Sequence, residues 1–444
     1  MKEKITKLIN ERKYVEVRKE VTKLNVVDIA ELLEELDKSS YLILFRILPK
    51  DMAAEVFSYL SYEQQRYIID SITDKEIKNI VDELFFDDMI DIIEEMPANV
   101  VKKILKNTKE EERLLINQFL NYPENSAGSL MTIEYVDLKK EMTVKEAIDH
   151  IKETGVDKET IYTCYVTDKN RKLEGLVSLR KLVISDDDKT VDEIMERDII
   201  YVNTHDDQEE IAYLFKKYDL MAIPVVDKEG RLTGIITIDD IVDVIEQENT
   251  EDFQKMAAMS PSEQEYLETS TLSLAKHRIT WLLILMISAT FTGSIIRKFE
   301  EVLQSVVILA AYIPMLMDTG GNAGAQASTL IIRGMALGEI EIKDILKVIW
   351  KELRVSTIVG VILSLVNFMR IYFIDKVSLK VAITVCSTLF FTVVLAKIVG
   401  AVLPIGARKL KLDPAIMASP LITTIVDAVA LILYFSMASW ILGL

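Results

Sequence analysis

The stretch PMLMDTGGNAGAQASTL, residues 314–330, decides how the rest of the chain is read. It lies within a long apolar segment, yet it carries Asp318, Asn322, Gln326, Thr319, Ser328, Thr329 and three glycines. Pro314 lacks an N–H, so inside a helix it would free the Ala310 carbonyl. Asp318, Asn322 and Gln326 recur every fourth residue and would share one helix face. Gly320, Gly321 and Gly324 allow loose backbone or the close approach of a second helix. Irregular backbone at membrane depth is tolerated only where protein buries it or water lines it. The stretch therefore reads either as a hydrated cation path or as a small-residue packing seam whose polar groups are satisfied.

Its surroundings are built for lipid. Apolar runs at 279–296, 302–317, 355–374, 381–405 and 415–444 approach the roughly 20 residues that cross a bilayer, which predicts five spans. Charge divides the chain at the same place. Of 52 Lys+Arg and 70 Asp+Glu in all, 16 and 10 follow residue 275, leaving 36 and 60, a net of −24, before it. Basic residues near the span ends favour a cytoplasmic front. MKEKITKLINERKYVEVRKE has no apolar core, so no cleavable signal peptide is expected. Cys164 and Cys386 fit a reduced compartment. An acidic front repels nucleic acid and suits divalent cations as well as it suits a plain solvated surface.

The last span holds one charge, Asp427, in SPLITTIVDAVALIL. Intramembrane charges are costly and face a pathway or a partner. Thr423 and Thr424 share the Asp427 face, Pro420 would loosen the Ile416 carbonyl, and Asp413-Pro414 would start the helix. A structural ion pair with Lys397 on the preceding span is the competing reading. Hard neutral oxygens with few charges suit a cation that keeps its waters, as magnesium does. A softer metal would call for Cys or His, and His150, His205 and His277 lie outside the expected spans.

The front reads as three parts. Residues 1–125 are helical, with LPKDMAAEVFSYL (48–60) loosely echoed by MPANVVKKIL (96–105), as in a helical solenoid. A duplication follows: KLEGLVSLRKLV (172–183) matches RLTGIITIDDIV (231–242), each a strand, a Gly turn, a strand and a helix start. That pattern resembles a tandem pair of CBS domains, α/β modules at 126–192 and 193–246. A helix at 247–276 then leads, as transmitter or passive linker, to a transmembrane domain at 277–444.

Taken together, the order of parts and the motifs PMLMDTGGNAGAQASTLIIRG (314–334) and LDPAIMASPLITTIVDAVALILYF (412–435) resemble the MgtE family of magnesium channels and transporters. The resemblance implies a multi-domain inner-membrane protein with its soluble domains in the cytoplasm: helical solenoid, CBS pair, connecting plug helix and five-span helical domain. It implies a homodimer with a pore on its axis and hydrated Mg2+ held by Asp427, helped by carbonyls at Thr423 and Gly321, with Asn322 and Asp318 nearby. It also implies regulatory Mg2+ at Asp87, Asp91, Asp207, Glu209, Asp219, Asp240, Asp243, Glu248, Glu251 and Asp252. ATP at the CBS pair would use Arg180. The chain departs from the family pattern at Gln304, Ala325 and Lys397.

The residues leave other functions open. Transport of cobalt or manganese, a CBS-regulated membrane enzyme and a non-conducting sensor remain alternatives. The enzyme reading is disfavoured by the lack of an H-E-x-x-H motif, and pumping by the lack of a G-x-x-x-x-G-K-[ST] loop.

Overall fold

The computed structural model describes residues 1–262, 266–267, 269–417 and 419–443. It divides into two compact units, Met1–Ile245 and Glu246–Leu444.

The first unit opens with ten helices, α1 (Lys2–Asn10) to α10 (Glu110–Phe119). Alternate helices stack: α3 (Val26–Glu34) on α5 (Lys50–Ser58), α5 on α7 (Asp74–Val81), and α7 on α9 (Ala98–Asn107). The echoed prolines do the same job in both copies, since Pro49 and Pro97 are the residues capping α5 and α9. No donor is lost there, because the first turn has no intrahelical acceptor.

Two small sheets follow, with identical topology. β1 (Asp137–Leu138) runs parallel to β2 (Thr163–Thr167), which pairs antiparallel with β3 (Leu173–Ser178). β4 (Val202–Asn203), β5 (Ala222–Val226) and β6 (Leu232–Thr237) repeat the order. Even the register shift recurs, at Val166/Thr167 and Val225/Val226. Bridges between Thr132 and Ile235 and between Lys172 and Arg231 tie the copies together. α11 (Ala127–Leu130), α12 (Val144–Thr154), α13 (Leu179–Ile184), α14 (Val191–Ile194) and α15 (Gln208–Tyr218) complete them.

The expected helix at 247–276 is not one helix. α16 runs without a break from Ile238 to Met256, so the connector is the extended last helix of the second α/β copy. Local chemistry ends it: Ala258 takes a left-handed φ of 53°, and the Gln254 carboxamide binds both the N–H and the C=O of Ser262. Residues 263–265 and 268 of that expected helix lie outside the described residues.

In the second unit, α17 (Thr271–Lys298) is followed by α18 (Glu300–Ser305), a 3-10 segment at Val307–Tyr312, and α19 (Ile313–Ala336). Then come α20 (Ile345–Met369), α21 (Leu379–Lys409) and α22 (Ser419–Leu442). Among the described residues, 4 helical segments are long and apolar enough to cross a membrane: Thr271–Lys298, Ile342–Ile374, Leu379–Lys409 and Pro414–Leu442. The span expected at 302–317 is therefore corrected. That segment breaks at Val306, and the opening stretch belongs to α19, whose polar residues dilute its apolar character. His277, expected outside the spans, lies in the first two turns of α17.

Candidate ion path and acidic cluster

α19 is regular helix through all three glycines of the opening stretch, so the expected irregular backbone is absent there. Pro314 falls in its first turn, and the Ala310 carbonyl accepts the Ile313 N–H instead of being freed. Pro420 likewise occupies the second residue of α22, where it interrupts no helix interior. Asp413 does cap a helix, though a short one: its Oδ1 accepts the Ala415 N–H at 2.8 Å, opening the 3-10 turn Pro414–Met417.

The glycines instead let three helices pack closely, α19 and α21 backbone to backbone and α22 through its side chains. A Cβ on Gly320 would meet Thr392 of α21 at 2.7 Å and Val426 of α22 at 3.0 Å. One on Gly321 would meet Thr423 Cγ2 at 2.8 Å, so the structure brings Gly321 and Thr423 together. One on Gly400 would lie 2.2 Å from the Gly324 carbonyl oxygen.

Asp427 projects from α22 four residues after Thr423, on the same face. Its Oδ1 is buried and has no hydrogen-bond partner among the described residues, and Asp318 on α19 is the charge that acts on it. A buried acceptor without a partner is expensive, and this one is at membrane depth. Asp318, Asn322 and Gln326 form one stripe of α19 as expected, but the stripe is exposed in the single chain, whereas Gly320, Gly324 and Ser328 are buried.

No ion pair joins Lys397 to Asp427 among the described residues, although Lys397 is only 5 % exposed. Helix geometry explains this. On α21, Cys386 accepts from Ser364 of α20, and Phe390 packs where Gly360 of α20 lacks a side chain. Lys397 follows Phe390 by seven residues, close to two turns, so it shares the α20-facing side. Thr392 and Ala396 instead lie against Gly320 and Gly324 of α19. Thr392 was missed from sequence: it is 2 % exposed and its Oγ1 is unpartnered, whereas Thr384 and Thr388 donate to the carbonyls four residues back. The signal was available, since Thr384, Thr388 and Thr392 recur every fourth residue.

A second constellation lies within the first unit. Asp87 and Asp88 on α8 (Phe86–Glu95) gather with Asp239 and Asp240 at the start of α16 and with Glu134 and Glu159 of the first α/β copy. Burial, then the Asp240 and Asp88 charges, pushes Asp87 up to about 9. Burial and Asp239 raise Asp240 to about 6, against hydrogen bonds from Thr237. Burial lifts Asp88 to about 6, although Ser58 hydrogen-bonds to it, with Asp239 adding to the rise. Glu159 reaches about 7 by burial, then Asp239 and Asp240. Like charges held together out of water have this effect, and a divalent cation would relieve it. Sequence reading found Asp87 and Asp240 but not Asp88, Asp239, Glu134 or Glu159, which come from segments that no local spacing relates.

Of the other expected sensor residues, several stand apart and three gather on α16. Asp91 and Asp243 are exposed on α8 and α16. Asp207 caps the start of α15, accepting the Glu209 N–H at 2.9 Å, while Asp219 closes its far end in a left-handed turn at φ 52°. Eleven residues of helix, about 16 Å, separate those two ends. Arg180 is exposed on α13. Glu248, Glu251 and Asp252 lie on α16, and Asp252 is raised to about 6 by burial and then by Asp413. Among the described residues no three acidic, His or Cys side chains converge closely enough to hold a metal directly. The donors present are carboxylates and neutral oxygens, which fit a hydrated hard cation contacted through its waters.

A helical stack, a paired α/β module and a bundle of long apolar helices with an orphaned carboxylate define a multi-pass membrane protein with a large soluble region of regulatory type. Residues 313–437 match a divalent cation transporter family, MgtE, residues 24–125 its intracellular N domain, and 127–186 and 191–247 the CBS domain. Magnesium transporter MgtE of Thermus thermophilus is 36% identical over 430 residues, 96% of this chain and 95% of that protein. Its namesake in Bacillus subtilis is 31% identical over 432 residues, 97% and 95%. The solved cytosolic domain of a Mg2+ channel MgtE in complex with ATP is 35% identical, with a TM-score of 0.53, covering 55% of this chain and 100% of that one. The chain belongs to the MgtE family.

Proposed function

We propose that this protein is a magnesium uptake channel or transporter, closed by cytosolic magnesium that binds its acidic soluble region. The observation that carries the reading is Asp427, a carboxylate at membrane depth with an orphaned buried oxygen, beside Asp318 and the Gly321–Thr423 contact. A cation supplies the neutralisation that Lys397 does not.

α19 is the fifth span in this reading: its 24 residues reach about 36 Å, enough to cross the hydrocarbon core. The uncovered Asp318–Asn322–Gln326 stripe then needs water or a second copy to face. A two-fold homodimer supplies both, placing two stripes and two Asp427 carboxylates about one axis. Domain boundaries at 125/126 and 192/193 belong to the same reading, whereas those expected at 246/247 and 276/277 fall inside α16 and α17. Regulatory magnesium bridges the Asp87–Asp88–Asp239–Asp240 cluster and the carboxylates Asp243, Glu248, Glu251 and Asp252. ATP binds the CBS pair, with Arg180 contacting phosphate.

The test is magnesium flux into vesicles carrying the purified full chain. Asp427→Asn should assemble normally and lose magnesium flux or selectivity. Wild-type rate and selectivity in that variant refute the site. Competition by cobalt and manganese separates magnesium from the other divalent ions.

A further inference from the structure

Two structural features meet at the end of α16. The last turn of that helix carries Lys255, whose Nζ lies 2.6 Å from Asp413 Oδ2 and also contacts Glu251 one turn back. Asp413 is not a free surface acid, because its other oxygen, Oδ1, caps the turn that leads into α22. One carboxylate thus holds the beginning of the Asp427 helix with one oxygen and the end of the connector helix with the other. Both side chains are largely covered, Lys255 at 21% and Asp413 at 29% exposure.

The chain around Lys255 is braced on the other side as well. Beyond α16 the Ser260 N–H donates to the His277 carbonyl on α17 at 2.9 Å, and His277 Nδ1 lies 3.3 Å from the Ser260 carbonyl. With Gln254 binding Ser262, the α16 end is fixed to α17 by backbone and side chain before Lys255 reaches across. Lys255 is also well placed electrostatically, since a cation in the last turn complements the helix C-terminus. Three carboxylates, Glu251, Asp252 and Asp413, share this one ammonium.

We infer that Lys255 is a tethered cation that clamps the connector helix to the entrance of α22 through Asp413, a positioning pair that biases the channel towards closure without bound metal. The inference rests on the magnesium-gated reading above, and goes beyond it by assigning part of the closing force to the chain itself. The clamp sets the threshold: magnesium has only to complete a closure that the ammonium has begun. Without it, more magnesium is required for the same closed fraction, because a ligand shifts a two-state gate only by its differential binding.

The experiment is inhibition of magnesium flux by magnesium on the α16 side, measured in vesicles carrying the full chain. Lys255→Met keeps the apolar stem and removes the charge. Asp413→Asn keeps an oxygen able to cap Ala415 and removes the charge that Lys255 binds. Each should raise the half-inhibiting magnesium concentration about fivefold, the upper range for one partly covered ion pair. The double variant should rise no further, since the two residues act as one pair, and Lys255→Arg should stay within about twofold of the wild type. Unchanged inhibition in Lys255→Met, or a double variant equal to the product of the singles, overturns the clamp. A fall in the half-inhibiting concentration overturns it too, because it shows the ammonium competing with metal for the carboxylates. Maximal flux in low magnesium separates the two readings: its loss in Asp427→Asn tests the pathway, whereas the clamp variants should retain it.

Discussion

Gly400→Ala tests the closeness of α19 and α21 most directly. The added Cβ would sit 2.2 Å from the Gly324 oxygen and 3.0 Å from its carbonyl carbon. Ordinary contact begins near 3.4 Å, so the helices must part by about 1 Å. The obstructing atoms are helix backbone, which cannot swing aside as a side chain would. Overpacking of this kind costs about 1–3 kcal/mol, and the upper figure applies where backbone meets backbone. At about 2–4 °C per kcal/mol for a body of this size, the melting temperature of the detergent-solubilised protein should fall by about 6–12 °C. Flux should fall with it, because α19 carries Gly321 and Asp318. Gly406→Ala on the same helix is the control: nothing lies within 4 Å of its Cβ position, so stability should hold or rise slightly with the better helix former. A Gly400→Ala protein that melts within a degree of wild type refutes the backbone contact and the packing that places Asp427.

Three further outcomes are expected. Lys397→Asn should leave assembly intact, and adding Asp427→Asn should restore nothing, because the two side chains are on different helix faces; a loss of several kcal/mol rescued by the double variant would show a buried pair. Asp87→Asn should scarcely change the soluble region at pH 7 in chelator, since Asp87 raised to about 9 already holds its proton, yet it should abolish magnesium-dependent protection of α8 in hydrogen exchange; retained protection rules Asp87 out as a contact for the ion. Stability of the soluble region in chelator should decline as pH rises: Asp87, Asp88, Asp240 and Glu159, raised to about 9, 6, 6 and 7, bind more protons folded than unfolded between about pH 4 and 9. Melting curves at pH 6 and 8.5 check the sign, saturating magnesium should flatten the difference, and greater stability at pH 8.5 in chelator refutes the assignment.

Local signals carried the parts of the fold that local forces determine. Pro49 and Pro97 mark helix starts because a proline needs no partner there, and the matched segments 172–183 and 231–242 announce the duplicated sheets. The turns expected at Gly175 and Gly234 nevertheless fall earlier, at Asp168–Arg171 and Asp227–Gly230, and both glycines lie inside β3 and β6. Pro314 and Pro420 look alike in sequence, and the reading of them as helix interruptions failed for a tertiary reason. Buried Leu309 and Tyr312 pin the preceding 3-10 segment, with Tyr434 of α22 donating to the Leu309 carbonyl at 3.0 Å, so α19 begins at Ile313 and Pro314 becomes a first-turn residue. The connector helix failed differently. Its real boundary depends on a left-handed Ala258, a residue type that seldom announces such a turn.

The candidate site was legible where chemistry is rare and obscure where it is common. One aspartate in an apolar helix stands out, so Asp427 was found at once, and Lys397 with it. Whether they pair depends on rotation about α21, which the contacts of Cys386 and Phe390 with α20 decide against. Among 70 acidic residues, by contrast, Glu134 and Glu159 carry no mark; only the fold brings them to Asp88 and Asp239. The contrast also separates two tasks. A divalent ion entering across 100 mV gains about 4.6 kcal/mol, enough for roughly a thousandfold accumulation. Inward flux therefore requires a pathway and no source of chemical energy. What such a path does require is a means of stopping, which is the role proposed for the carboxylate cluster of the acid-rich front and for the Lys255–Asp413 pair.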